Sequence, residues 1–237
     1  MKVVAVIQAR TGSTRLPGKV LKPIGKHPAL YHTVRRTQAA VPDTRICIPH
    51  NDPVLFDAVK GWAPTIRGPA ADVLYRYYMA VPDKPTVIVR ITGDCPLVDP
   101  DVVREVVDRC VRGMAYSSNV FPTRTYPEGL DVEAFRFGLL EAAVRSAAAQ
   151  DYDREHVTPL IRRLAGTSVE CVHQKPSYAH YRWTLDTATD YEFFTTLAEH
   201  LEFEPPHPTT AEVLALLEAH PEIARINTET AHAYGGA

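Results

Sequence analysis

Near the N-terminus, between a short apolar run and a helical stretch, lies Gln8-Ala9-Arg10-Thr11-Gly12-Ser13-Thr14-Arg15-Leu16-Pro17-Gly18-Lys19. Three cations, two glycines and three hydroxyls in one loop suit a phosphate cradle. Backbone N–H groups and hydroxyls would line it, and Arg10, Arg15 and Lys19 would neutralise charge. It is not a P-loop, which wants four residues between its glycines and Ser/Thr after the lysine. Here five residues separate Gly12 from Gly18, and Val20 follows Lys19. The pattern G-x-G-x-x-G is not met either. The plain alternative is a solvated loop with chance charge.

Two aspartates are the next candidates. Asp94 closes the clearest central strand, and in open α/β sheets ligands bind at that end of the strands. Asp186 stands where another expected strand, residues 181–185, meets a helix. Such a pair could hold Mg²⁺, which takes one or two carboxylates and completes its octahedron with waters and phosphate oxygens. Taken singly, Asp94 also reads as a turn residue before Pro96 and Asp186 as a helix N-cap. The patterns Asp99-Pro100-Asp101 and Asp151-Tyr152-Asp153 could suggest a metal-dependent glycosyltransferase, but neither closes a central strand and both read as structural. His27, His50, His173, His180, His207 and His220 show no metal-ligand spacing.

The elements that must position these groups alternate. Residues 3–7, 44–48, 65–67 and 86–92 read as strands. Residues 28–40, 53–62, 72–81 and 100–113 read as helices, with Asn51 or Asp52 and then Asp99 as caps. That is the pattern of an α/β fold with a largely parallel sheet. Strands at 115–119, 130–135, 169–173 and 181–185 and helices at 137–149, 155–164, 187–200 and 210–219 follow. Tyr75, Tyr77, Tyr78 and Met79 read as core rather than a stacking platform. No repeat or linker divides the 237 residues, so one domain spanning 1–237 is expected, with a mobile tail from about 228. Lys+Arg 26 against Asp+Glu 28 leaves no basic field for a nucleic acid polymer. No apolar stretch approaches the roughly 20 residues that span a bilayer. Cys47, Cys95, Cys110 and Cys171 form no C-x-x-C pair, which fits reduced thiols in the cytoplasm.

The loop's Ala-Arg-x-x-Ser-x-Arg-Leu-Pro-Gly-Lys resembles the opening signature of the cytidylyltransferase superfamily, whose members make CMP-sialic acid and CMP-KDO. The chain is most similar to the spore coat polysaccharide biosynthesis protein F branch. The resemblance continues at Arg67-Gly68-Pro69-Ala70-Ala71-Asp72-Val73-Leu74-Tyr75-Arg76-Tyr77 and at Arg90-Ile91-Thr92-Gly93-Asp94-Cys95-Pro96-Leu97. It runs on through Tyr126-Pro127-Glu128-Gly129-Leu130-Asp131-Val132-Glu133, Arg154-Glu155-His156-Val157-Thr158-Pro159 and Arg182-Trp183-Thr184-Leu185-Asp186-Thr187-Ala188-Thr189-Asp190-Tyr191. Two stretches depart from the branch. Ile48-Pro49-His50-Asn51-Asp52 replaces a Ser/Thr-rich strand end followed by acids, and Ala70-Ala71 stands where acids are common.

The resemblance implies a Rossmann-like nucleotide-diphospho-sugar transferase fold, a mostly parallel mixed sheet flanked by helices. A protruding acceptor and dimerisation segment is implied at about 120–165. It also implies CTP bound by Ala9, Arg10, Ser13, Arg15, Lys19, Arg67, Thr92, Gly93 and Asp94, with Mg²⁺ on Asp94 and Asp186. Arg10, Lys19, Asp94 and Asp186 are then the catalytic candidates. Tyr126, Glu128, Asp131, Arg154, Glu155, His156 and Arg182 fall in blocks expected to face the pocket. Carboxylates with arginines suit a small polar or anionic acceptor, or alternatively an interface salt-bridge network in a homodimer. The expected reaction is attack by an acceptor oxygen, from a sugar acid, sugar phosphate or phosphonate, on the α-phosphorus of CTP, releasing pyrophosphate. No residue stands out as general base. A glycosyltransferase using a nucleotide-sugar and a non-catalytic nucleotide-binding protein are the alternatives.

Overall fold

Val4 and Val6 face one side of the first strand and Ala5 and Ile7 the other, and all four are fully buried. A strand covered on both faces belongs in the interior of a sheet with helices on each side. The computed structural model, which describes residues 1–205 and 207–228, has that arrangement. Its strands are β1 (Val3–Gln8), β2 (Pro23–Ile24), β3 (His27–Pro28), β4 (Thr44–Pro49), β5 (Thr65–Gly68), β6 (Val87–Thr92), β7 (Tyr116–Ser118), β8 (Glu133–Arg136) and β9 (Val169–Cys171). Its helices are α1 (Ala29–Ala40), α2 (Pro53–Ala58), α3 (Val73–Met79), α4 (Pro100–Val111) and α5 (Phe137–Arg145). They continue as α6 (Asp151–His156), α7 (Thr158–Ala165), α8 (Ala188–His200), α9 (Thr210–Ala219) and α10 (Pro221–Arg225).

Seven strands form one sheet in the order β5-β4-β1-β6-β8-β7-β9, and β2 pairs with β3 in a separate ribbon. Within the large sheet only β8 runs against the rest. Ile7 lies between Ile46 and Ile91, so β1 is flanked by β4 on one side and β6 on the other. The connections leave β1 in opposite directions, which opens a crevice at the carboxyl ends of β1 and β6. One core packs Ala5 and Ile7 with Leu30, Val103, Val106 and Phe194. The other packs Val4 and Val6 with Leu74, Tyr77, Leu140 and Ile161. Tyr77 thus belongs to the core, while Tyr75 and Met79 on the same helix are exposed. No helix among the described residues is long and apolar enough to cross a membrane.

Two expected elements are corrected. The helix expected over 155–164 is broken at Val157, whose φ of 69° separates α6 from α7. Pro159 has no N–H to donate to the carbonyl four residues back, and its ring would strike that carbonyl, so no helix runs through. Asp151 and Asp153 therefore lie inside α6 rather than before a helix, and Asp153 completes a capping box with Gln150. The second correction is at 181–185, which is not a strand. It makes one isolated bridge, Glu128 with Arg182. Its partner segment carries Pro127, which cannot donate, and Gly129 at φ 102°, so the ladder cannot extend. A Cβ on Gly129 would sit 2.3 Å from the Trp183 carbonyl, so the two segments meet only because glycine stands there. The expected mobile tail, beyond Thr228, lies outside the described residues.

Candidate active site

The cradle loop leaves β1 and folds back on itself. The N–H groups of Ser13 and Gly18 both donate to the Thr11 carbonyl, at 2.8 and 3.0 Å. Leu16 and Val20 are buried and anchor the loop in the core. Between them, Lys19 opens a short 3-10 turn and turns inward, its side chain 11% exposed. Its ammonium lies 2.5 Å from Asp94 Oδ2 and 2.6 Å from Asp186 Oδ1. Arg15 reaches Asp186 Oδ1 at 3.1 Å, and Arg10 stands at the rim 3.9 Å from Glu155.

Asp94 follows β6 by two residues. Gly93 lets this turn approach β1, because a Cβ there would come within 3.0 Å of Gln8 O, Ala9 and Leu30. Asp186 arrives through main-chain contact: Leu185 N–H donates to Asp94 O at 2.9 Å. The Asp186 carboxylate is then fixed by the buried Arg182 at 3.0 Å. Arg182 also holds Asp190 at 2.9 Å and Glu128 at 2.7 Å. Asp190 is wholly buried and accepts from the N–H groups of Asp186 and Thr187. The N-cap of α8 is Thr187, so the reading of Asp186 as that cap falls.

The charges respond to this packing. Burial alone would raise the Asp94 carboxyl, but the Lys19 ammonium beside it, together with hydrogen bonds from the Thr92 side chain and the main chain, holds it below the usual carboxylate range. Burial would lower Lys19, yet the two aspartates hold it above the usual lysine value. The result is a cavity of about 410 Å³ lined by cations and carboxylates that pair with one another.

Most sequence-predicted nucleotide residues line this cavity: Ala9, Arg10, Ser13, Arg15, Lys19, Thr92, Gly93 and Asp94, together with Asp186. Arg67 does not; it donates to the His50 carbonyl and lies over the Phe56 ring. Of the acceptor candidates, Glu155 and His156 reach the cavity. Arg154 bonds Asp72 at 2.8 Å and lines an adjoining hollow that shares Arg10 and Glu155. The other four are not in the lining. Tyr126 is buried, Asp131 is held by both terminal nitrogens of Arg124 at 2.5 and 2.9 Å, and Arg182 and Glu128 bond each other. Sequence reasoning did not single out Asp190, although Thr-x-x-Asp from Thr187 is a capping-box spacing. It also passed over Gln8 and Arg76, which line the cavity.

The cytidylyltransferase family model matches residues 4–218. The chain belongs to the cytidylyltransferase family. It is 32% identical to the spore coat polysaccharide biosynthesis protein SpsF of Bacillus subtilis, across 94% of this chain and 96% of that one. A cytidylyltransferase from Leptospira borgpetersenii superposes with a TM-score of 0.87 at 29% identity, covering 95% of this chain and 97% of its own. CMP-2-keto-3-deoxy-manno-octonic acid synthetase, solved with CTP, shares the fold at a TM-score of 0.64 and 20% identity, covering 85% of this chain and 100% of its own. The mixed, mostly parallel sheet of this cytidylyltransferase-family chain is therefore the architecture its resemblance implied.

Proposed function

We propose that this protein transfers CMP from CTP to an acceptor oxygen with release of pyrophosphate. The observation that carries the reading is the single cavity in which Arg10, Ser13, Arg15 and Lys19 meet Asp94 and Asp186 at the carboxyl ends of parallel strands. Arg10, Arg15 and Lys19 bind the triphosphate and stabilise charge on its oxygens, and Ser13 adds a donor. Such a site works by positioning rather than by covalent chemistry.

The two aspartates also fit a divalent metal. Their carboxylates converge on one positive centre, the Lys19 ammonium, within 2.6 Å. Hard oxygen donors, two in number and open to the cavity, suit Mg²⁺ with waters and phosphate oxygens completing its shell. Bound there, Mg²⁺ supplies charge neutralisation and orientation at the α-phosphate. Arg182 and Asp190 keep Asp186 in place. Glu155 and His156, which line the same cavity, face the acceptor.

The test is pyrophosphate release from CTP, ATP and GTP with Mg²⁺ and a panel of sugar acids, sugar phosphates and phosphonates. Release with CTP above the purine nucleotides, dependent on both metal and acceptor, supports the reading. Equal or tighter binding of purine triphosphates in calorimetry overturns the choice of CTP.

A further inference from the structure

The loop that presents Arg10, Arg15 and Lys19 is held from outside by a carboxylate that its own sequence does not contain. Asp52 lies at the start of α2, 8% exposed. One oxygen, Oδ1, accepts from Leu55 N–H at 3.1 Å and caps that helix. The other, Oδ2, crosses to the cradle and accepts from both the N–H and the hydroxyl of Thr11, each at 2.8 Å. Thr11 is the pivot of the loop, since its carbonyl receives Ser13 N–H and Gly18 N–H. Capping needs one of the two oxygens; the second is spent entirely on Thr11.

We propose that Asp52 is a positioning residue for triphosphate binding. It locks Thr11 so that Arg10, Ser13, Arg15 and Lys19 converge before any ligand arrives. The proposal rests on the reading of the loop as a phosphate cradle. A carboxylate close to an anion site otherwise opposes binding by its charge. Here two loop donors and a helix N–H solvate that charge, and the same bonds order the loop. A preformed loop spares the nucleotide the entropy of arranging it.

Asp52→Asn separates this role from capping, because asparagine caps a helix about as well as aspartate. Its single carbonyl oxygen serves Leu55, and the amide then turns donors toward the Thr11 N–H. The positioning role predicts CTP·Mg²⁺ affinity about tenfold weaker by calorimetry, with the thermal midpoint nearly unchanged. A purely electrostatic role predicts the opposite sign, since removing a negative charge favours an anion. Thr11→Val, which keeps the N–H bond and loses the hydroxyl bond, should show a smaller loss. In the protein without nucleotide, amide exchange of residues 11–16 and of Gly18 should speed up about tenfold in Asp52→Asn. Unchanged or tighter binding together with unchanged loop exchange would overturn the proposal and leave Asp52 as a cap. If the wild-type protein bound neither CTP nor inorganic triphosphate, the nucleotide reading would fail. The exchange measurement would then still decide whether Asp52 holds the loop.

Discussion

The cradle that lines the cavity and the return segment behind it use charged residues in opposite ways. On the cradle side, Arg10 and Arg15 are more than a third exposed, and Lys19 points its charge at two carboxylates that themselves face the cavity. On the return side, between Arg124 and Asp190, charges are spent on one another. Arg182 is 3% exposed and serves Glu128, Asp186 and Asp190, while Arg124 and Asp131 form a closed fork. Residue type is the same on both sides. What differs is exposure: Arg10 and Arg15 keep open surface beside their carboxylates, whereas Arg182 is enclosed by its own. An arginine in a polar motif is thus a candidate ligand contact where it keeps exposed surface on a cavity.

The sharpest way to break this contrast is to remove the central return-side cation. Arg182→Met leaves three carboxylates around a neutral side chain. Breaking a buried ion pair from one side costs about 3–5 kcal/mol. Urea unfolding should show a loss in that range. A loss below about 1 kcal/mol, the level of an exposed pair, would place Arg182 on the ligand-facing side after all.

Asp94→Asn and Asp186→Asn come next. Each should cut pyrophosphate release about 10²–10³-fold while leaving triphosphate binding through Arg10 and Arg15 in place. Because both act at one centre, the double variant should lose little more than either single one. Full additivity in the kinetics would mean that the two aspartates do separate work.

The cradle side was far more legible than the return side. Val3–Gln8 and Val87–Thr92 are buried on both faces, so their apolar runs and the turn chemistry after them carry the strand ends and the loop directly. Asp94 follows from that by position alone. Asp186 was found for a partly wrong reason, since no strand delivers it. Its place depends on the local Arg182 bond and on the Leu185–Asp94 main-chain bond, a contact between residues some ninety apart that no local pattern encodes. The helix expected across Val157 failed in the same way. The apolar spacing of 155–164 continues through it, and only Pro159 records the break. Tyr126, Glu128, Asp131 and Arg182 show the limit most plainly. Their types suit an acceptor site, but type does not say which charges will be paired inside the fold.

Lys19→Met tests the cradle side at a smaller scale. Loss of a charge-assisted phosphate contact should weaken triphosphate binding by about 1.5–3 kcal/mol. The substitution also has a pH signature in the protein without nucleotide. Asp94 is held below its ordinary 3.8, so its share of the pairing is complete above that value and is lost as pH falls through the lower folded-state value. Lys19 is held above 10.5, so its share is complete below that and is lost as pH rises through the higher value. The stability difference between wild type and Lys19→Met should therefore form a plateau between about pH 4 and 10, of about 1–3 kcal/mol, and shrink at both ends. A difference that does not change with pH would assign the effect of Lys19 to packing rather than charge.

The smallest effect belongs to the pair that joins the cradle to α6. Arg10 and Glu155 approach to 3.9 Å with side chains 56% and 54% exposed. An exposed pair at that distance contributes under about 1 kcal/mol to stability, so Glu155→Gln should leave the unfolding curve almost unmoved. Its value lies in what it does to ligands. Glu155 sits at the end of α6, whose orientation is fixed by the Arg154–Asp72 bond at 2.8 Å and by the buried Val157 that follows His156. On the proposed reading such a residue meets the acceptor, while Arg10 binds the triphosphate. Releasing Arg10 from a carboxylate should leave CTP affinity equal or slightly tighter. The acceptor KM should change by a few-fold, corresponding to about 1 kcal/mol or less. If Glu155→Gln instead weakened CTP and left the acceptor KM alone, the assignment of Arg10 and Glu155 would have to be reversed. The closed return-side network would then be scaffolding for the nucleotide rather than a frame for the acceptor.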